Sequence, residues 1–385
     1  MKIETNKRDL ETVLDLVVVA KGIGKADNLI THACFQAKNG QVEILASNTR
    51  LGARGVLTAN VEGDGAFTVE FWRLTKWLDA IGDAPVTLQL DGTKVVISSA
   101  RSRIVLQSLN PADFPPVPEL VVPEKSPEID AKRLQGLMAY LRSFVLDQET
   151  IQPQFNVAQV KSGSFWACNQ KALVIMTIPE LDQTHLHVHK LELPGVLAFL
   201  GACGTRAVKI VERTSSPEGF YLVHPGGTSL YIPKPRKEFP DLSGELHTLE
   251  GESACVWEIS PDQLITAVEG LTASADNENY YVRMSIAGAD MLEVSIKAAF
   301  SADESTAQVP AKIRATKRFA NMAESKLDFH HPSLLAALAK QKEAVVALQI
   351  YAPADGKRGR QEGLSRLVTK SKEGDEVHTI LHWKV

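Results

Sequence analysis

Long apolar runs are absent. No stretch approaches the ~20 consecutive apolar residues that span a bilayer. The opening Met1-Lys2-Ile3-Glu4 lacks the apolar region of a signal peptide, so a cytoplasmic protein with no membrane partner is the expectation. Cysteine is scarce: Cys34, Cys168, Cys203 and Cys255 lie far apart, with no CxxC pair. That excludes a disulfide framework and predicts buried free thiols in a reducing compartment. Phosphate-cradling loops and the hydrolase nucleophile elbow are missing too, since no GxxxxGK[ST], GxGxxG or GxSxG segment occurs. Acidic residues are scattered, without the clusters that two-metal nucleases and polymerases use. These absences favour a non-catalytic binding protein without cofactor or metal over a hydrolase with an unrecognised site.

What is present is ordinary for a soluble fold: 385 residues, 44% hydrophobic and 23% charged. That length predicts two or three domains. The formal net charge of −4 excludes an all-round basic coat. It leaves room for DNA binding by one positive face, because only the surface that meets phosphate must be basic.

Internal repetition organises the chain. Ile3-Glu4-Thr5 leads into Leu10, Val13, Leu14, Leu16 and Val17; Ile129-Asp130 leads into Leu134, Leu137, Met138 and Leu141; Trp257-Glu258-Ile259 leads into Leu264, Ile265, Val268 and Leu271. Each is a short strand, a polar start, then apolar residues at helical spacing. Ser260-Pro261 reads as an N-cap and first turn. A second unit recurs as Phe67-Thr68-Val69, Leu186-His187-Val188 and Leu327-Asp328-Phe329, each followed by a helical pattern and a strand. With Leu78, Leu200 and Leu338 in register, Val86, Val208 and Val346 align without a gap. Phe114-Pro115 and Phe239-Pro240 close the first and second thirds, a buried Phe followed by a stiff exit. The prediction is an α+β chain of three like domains, 1–122, 123–250 and 251–385, each with two helices on antiparallel sheet. Copies of one domain related by a constant rotation can close into a ring with helices inward.

Ser98-Ser99-Ala100-Arg101-Ser102-Arg103-Ile104-Val105-Leu106 followed by Leu109-Asn110-Pro111-Ala112-Asp113-Phe114-Pro115 closely resembles the end of the first domain of bacterial DNA sliding clamps, the β subunit of DNA polymerase III. The likeness extends in organisation over the whole chain and is strongest in its first third. It implies a head-to-tail homodimeric ring that encircles duplex DNA without sequence preference. Such a ring tethers the polymerase catalytic subunit, the clamp loader and other clamp-motif proteins. A clamp-fold scaffold serving only repair or mobile-element partners is the alternative.

The resemblance also assigns residues. DNA-facing candidates are Lys21 and Lys25 around Gly22-Ile23-Gly24, Arg73 and Lys76 on the second helix, Gln148 and Gln154 in a loop of the second domain, and Lys190 before the fourth helix. A partner-peptide groove maps to Phe155, Leu173, Pro240, Ile380, Leu381, Trp383 and Val385. Its polar frame departs from the family. The Met-Pro-Met-Arg-Leu-like tail is replaced by Leu381-His382-Trp383-Lys384-Val385, and the Thr-Asp-Gly-His-Arg-Leu segment by Cys168-Asn169-Gln170-Lys171-Ala172-Leu173. Ser243-Gly244 stands where a basic residue is expected. Deleting the last five residues is expected to abolish partner binding without dissolving the ring. His185, His187 and His189 alternate on one strand face, as a zinc row would; the matching strands of the other repeats carry no such row, and an ordinary strand is the preferred reading. Asp355–Gly363 reads as a basic, Gly-rich hairpin loop.

Overall fold

In a computed structural model the helices form where the apolar spacing places them: α1 Lys7–Val17, α2 Phe71–Ala80, α3 Ala131–Arg142, α4 Leu193–Cys203, α5 Pro261–Leu271 and α6 His331–Leu338. Described are residues 1–385 apart from 26, 124, 147–152, 183, 238, 243–245, 248, 250, 273–280, 298–303, 316–325, 340–342, 344, 352–361, 371–375 and 385; for 297, 304, 315, 362, 363, 370, 383 and 384 the backbone alone is described. Strands Lys2–Asn6, Glu128–Asp130 and Cys255–Ile259 run directly or within a residue into α1, α3 and α5. The second repeated unit is also seen three times: Gly65–Glu70, α2, Pro85–Asp91; His185–His189, α4, Ala207–Arg213; and Leu327–His330, α6, Val346–Ile350. Ser260 occupies the N-cap position of α5, but its side chain makes no capping hydrogen bond. His330 and His331 flank the entry to α6, with Pro332 in its first turn.

The residues gather into two compact units, Met1–Met138 with Gln183–Arg236, and Ala139–Asp182 with Lys237–Val385. The first holds a five-stranded sheet in the order Asn60–Glu62, Lys2–Asn6, Pro85–Asp91, Lys94–Ser99, Ser102–Gln107. It also holds an eight-stranded sheet that runs from Glu128–Asp130 through Ala207–Arg213, Gly219–Val223 and Ser229–Pro233 to Gly52–Leu57, Gln41–Ser47, His32–Lys38 and Gly65–Glu70. The join is antiparallel, Leu230 opposite Ala53. The sheet thus joins strands from both sides of the boundary expected near residue 122, and the compact unit takes in Gln183–Arg236. α1 buries Leu10, Val13, Leu14, Leu16 and Val17 and lies on strand Gly52–Leu57. The approach is so close that a Cβ on Gly55 would stand 2.4 Å from Val13 Cγ1. Phe114 is buried and packs with Cys34, Leu45 and Val117.

In the second unit, strands Val157–Lys161, Ser164–Cys168 and Ala172–Thr177 lead to Glu376–Lys384. From there pairing continues through Leu327–His330, Tyr281–Gly288, Met291–Lys297, Glu304–Ala315, Cys255–Ile259, Val346–Ile350 and Glu362–Lys370. It then returns to Glu376–Lys384, so the last eight of these strands form a closed circuit. Arg283 and Asp328 face each other across two of them and join through two hydrogen bonds, 2.7 and 2.8 Å. α5 packs on Met291–Lys297 and Glu304–Ala315, and α6 on Leu327–His330 and Glu376–Lys384. Leu264 holds in α5 the place that Leu10 and Leu134 hold in the earlier repeats, buried with Val268 and Leu271 at helical spacing. The four cysteines are buried and none is in a disulfide, and burial pushes the Cys34 thiol up to about 11 and Cys203 up to about 12. No described helix is long and apolar enough to cross a membrane.

Candidate nucleic-acid interface and partner groove

Beyond α1 the chain makes a short 3-10 turn, Val18–Ala20, and folds back on itself. The Gly22 N–H donates to the Ile30 carbonyl at 2.7 Å. A side chain at Gly22 would strike Ile30, its Cβ 2.5 Å from Cδ1, so glycine is needed for this closure. Asn28 Oδ1 accepts from the Ile30 N–H, and Thr31 Oγ1 donates to the Asn28 carbonyl. The pinned base holds Lys21, Ile23 and Lys25 out in solvent, with Ile23 99% exposed. Neither lysine has an acidic partner among the described residues.

α2 buries Phe71, Leu74, Trp77 and Leu78 and exposes Trp72, Arg73 and Lys76. Arg73 Nε lies 2.8 Å from Glu70 Oε2, and Lys76 Nζ sits 5.2 Å from the Trp72 ring centroid. These side chains, with Trp77 and Ile104, line an open groove of about 410 Å³ beside strand Ser102–Gln107. The faces of α1 and α2 that meet are acidic: Glu11, Asp15 and Asp79 line a shared cleft. Burial, then repulsion from Glu11 and Asp79, raises the Asp15 carboxyl above the ordinary aspartate range. The helix pair is therefore mixed in charge: Lys7 and Arg8 open α1, paired with Glu11 and Asp83, and Arg73 and Lys76 stand exposed on α2.

Lys190 is half-buried in the turn before α4. In the second unit, Gln154 is half-buried in the 3-10 turn Pro153–Phe155; Gln148 lies outside the described residues, as does most of the Asp355–Gly363 loop. His185, His187 and His189 do share one strand face, with Leu186 and Val188 buried on the other. The His187 ring lies edge-on to Phe220, and His189 Nδ1 is 3.5 Å from Glu192 Oε2. Among the described residues no group of three His, Cys, Asp or Glu side chains is arranged to hold a metal ion.

Of the groove candidates, Phe155, Leu173 and Ile380 come together. Cys168, Leu173, Leu249, Tyr351 and Ile380 form a buried cluster against which Phe155, Trp166, Ile175, Phe239, Leu242, Leu246 and Leu364 pack. Phe155 meets Phe239 edge to face, centroids 6.5 Å apart. Strand register places Leu173 opposite Ile380. Pro240, next to Phe239, is half-buried. At this cluster opens a cavity of about 210 Å³ lined by Ile175, Leu246, Leu249, Arg366, His378 and Ile380.

Leu381 does not join this cluster. Strand alternation sends Leu381 to the face opposite Ile380. There it is 2% exposed, on the same side as Thr379, whose hydroxyl lies 2.9 Å from Tyr140 Oη. Trp383 pairs through its backbone with Phe329 and Gly363; its side chain and Val385 lie outside the described residues. The five-residue deletion is also not a clean probe. Leu381, Trp383 and Lys384 between them pair with three strands, so removing them also takes away the pairing with Leu327–His330. Sequence reasoning missed Tyr351, Arg366 and His378. Arg366 sits opposite Ile380 in the strand pairing, and the only sequence signal was the alternation Leu364, Arg366, Val368 on one strand face.

No family model matches the chain. It is 33% identical over 229 residues to the beta sliding clamp of Micrococcus luteus, an alignment covering 56% of this chain and 72% of that protein. Its fold superposes on the DNA polymerase III subunit beta from Pseudomonas aeruginosa with a TM-score of 0.79 at 15% identity, covering 100% of this chain and 99% of the other. The Caulobacter crescentus pol III beta gives 0.79 at 17%, with the same coverage. The repeated strand–helix units, the fold shared end to end and the identity to the curated relative agree: the chain belongs to the beta sliding clamp family.

Proposed function

We propose that the protein is a DNA polymerase processivity factor that acts without catalysis. Two copies join head to tail into a ring around duplex DNA. The ring tethers the catalytic subunit of DNA polymerase III, the clamp loader and other clamp-motif proteins in the cytoplasm. The three domains bounded near residues 122 and 250 are the units of that ring. The observation that carries the reading is the whole-chain fold, strand–helix and strand–helix–strand units three times on one polypeptide.

Retention would be topological. A closed ring cannot fall off a circle, so contacts with phosphate need only be weak and mobile, and base contacts would hinder sliding. Lys21 and Lys25 on their loop, with Arg73, Lys76 and Lys190 in support, suit such contacts. Strand Ser102–Gln107 ends the five-stranded sheet, with Val105 47% exposed and Arg101 and Arg103 beside it. Such an unpaired edge is a template for a second chain, and it supports self-association. The apolar cluster around Leu173 and Ile380 supports peptide docking in a groove. The altered polar frame of that groove favours a second reading, a clamp dedicated to partners other than the replicase.

The test is loading onto nicked circular plasmid by the host's clamp loader, followed by linearisation with a restriction enzyme. A topological clamp stays on the circle through gel filtration and is released by the cut; equal loss from both forms overturns the reading. Stimulation of the host's DNA polymerase III on the same circle separates the replicative clamp from a dedicated one, which loads without stimulating.

A further inference from the structure

We infer that Arg366 selects partner peptides carrying an acidic side chain beside their apolar anchor. The inference rests on the peptide-groove reading and adds a specificity to it. The cavity at Leu249 and Ile380 has apolar walls and two basic residues, Arg366 and His378, in its lining. His378 is already engaged, its Nε2 2.5 Å from Glu376 Oε1. Arg366 is not: among the described residues no carboxylate pairs with it.

Its guanidinium is instead held in place by neutral groups. Arg366 Nε donates to Gln349 Oε1 at 2.9 Å, and the guanidinium carbon lies 5.6 Å from the Tyr351 ring centroid. Tyr351 Oη donates to the same Gln349 oxygen at 3.1 Å, which fixes the acceptor's direction. The terminal NH2 groups, with four N–H donors, have no hydrogen-bond partner among the described residues and can receive a ligand. Glu376 stands opposite Lys370, and Arg366 opposite Ile380. Four residues of strand separate them, about 13 Å at the usual rise, so Glu376 is not positioned to neutralise Arg366. A fixed guanidinium fork beside an apolar cavity matches one ligand chemistry: a carboxylate received in two parallel hydrogen bonds, adjacent to a large apolar side chain.

Fluorescence anisotropy on the full-length protein tests this with three fluorescein-labelled decapeptides. They are identical except that Asp, Asn or Lys adjoins a Leu-Leu anchor. The Asp peptide is expected to bind about tenfold tighter than the Lys peptide, with Asn between, and Arg366→Gln is expected to erase the ranking. Raising salt on the parent protein should narrow the Asp advantage; this arm holds even if the variant fails to fold. Three equal affinities, or an Asp advantage indifferent to salt, overturn the inference and leave the groove standing. Binding by none of the three removes the groove reading itself, and the inference with it.

Discussion

Replacing Lys21 and Lys25 with alanine probes the proposed DNA contact most directly. Each neutralised phosphate of B-DNA contributes about 0.9 to the slope of log affinity against log salt. The two ammonium groups stand on a loop whose base is fixed by the Gly22–Ile30 hydrogen bond, and neither is paired with an acid among the described residues. If each meets one phosphate, the double variant loses about 1.8 from the slope. Over a fourfold salt range, from about 50 to 200 mM, the parent should then lose about twelvefold more affinity than the variant. Replacing Arg73 and Lys76 should remove about half as much, since Arg73 must first leave Glu70. The assay is anisotropy of a short labelled duplex with open ends, titrated at several salt concentrations. A slope unchanged by the loop substitutions would refute the assignment. Equal losses for the two pairs would refute the argument from ion pairing.

Three further outcomes follow from packing and charge. Gly55→Ala puts a methyl into Val13 Cγ1 and should cost about 1–3 kcal/mol of stability, read as a lower denaturant midpoint at constant slope; an unchanged midpoint would show that α1 shifts freely on its sheet. Asp15→Asn relieves repulsion from Glu11 and Asp79 and should raise the thermal midpoint slightly at pH 7. The gain should vanish in acid, where the parent carboxyl is protonated; a gain independent of pH counts against charge as its cause. Burial, then Lys171 and His331, lowers His330 to about 4. Between pH 6.5 and about 4 the unfolded chain takes up a proton that the folded one refuses, so stability present above 6.5 is lost as pH falls through that window. His330→Gln should flatten that limb of a stability–pH curve, and an unaltered limb would show that other groups set it.

Periodicity made much of this molecule legible. The spacing of Leu10, Val13, Leu14 and Val17, repeated in the later thirds, identified helices, because a helix buries residues three and four apart whatever surrounds it. Two-residue alternation did the same for strands, and the recurrence of both units gave the fold. Single site residues were less accessible. Ile380 and Leu381 look equivalent in sequence, and only the pairing of Leu173 with Ile380 shows which one faces the groove. The cations at Lys21 and Lys25 were readable, whereas the acidic cleft of Glu11, Asp15 and Asp79 forms only when α1 lies against α2.

The sequence alone therefore determined the elements, their order and their threefold recurrence, since these follow from interactions between near neighbours. Tertiary structure decided which residues from distant segments share a site. Arg366, Gln349 and Tyr351 come together because strands Val346–Ile350 and Glu362–Lys370 pair in one register. A shift of one residue would turn every side chain to the other face.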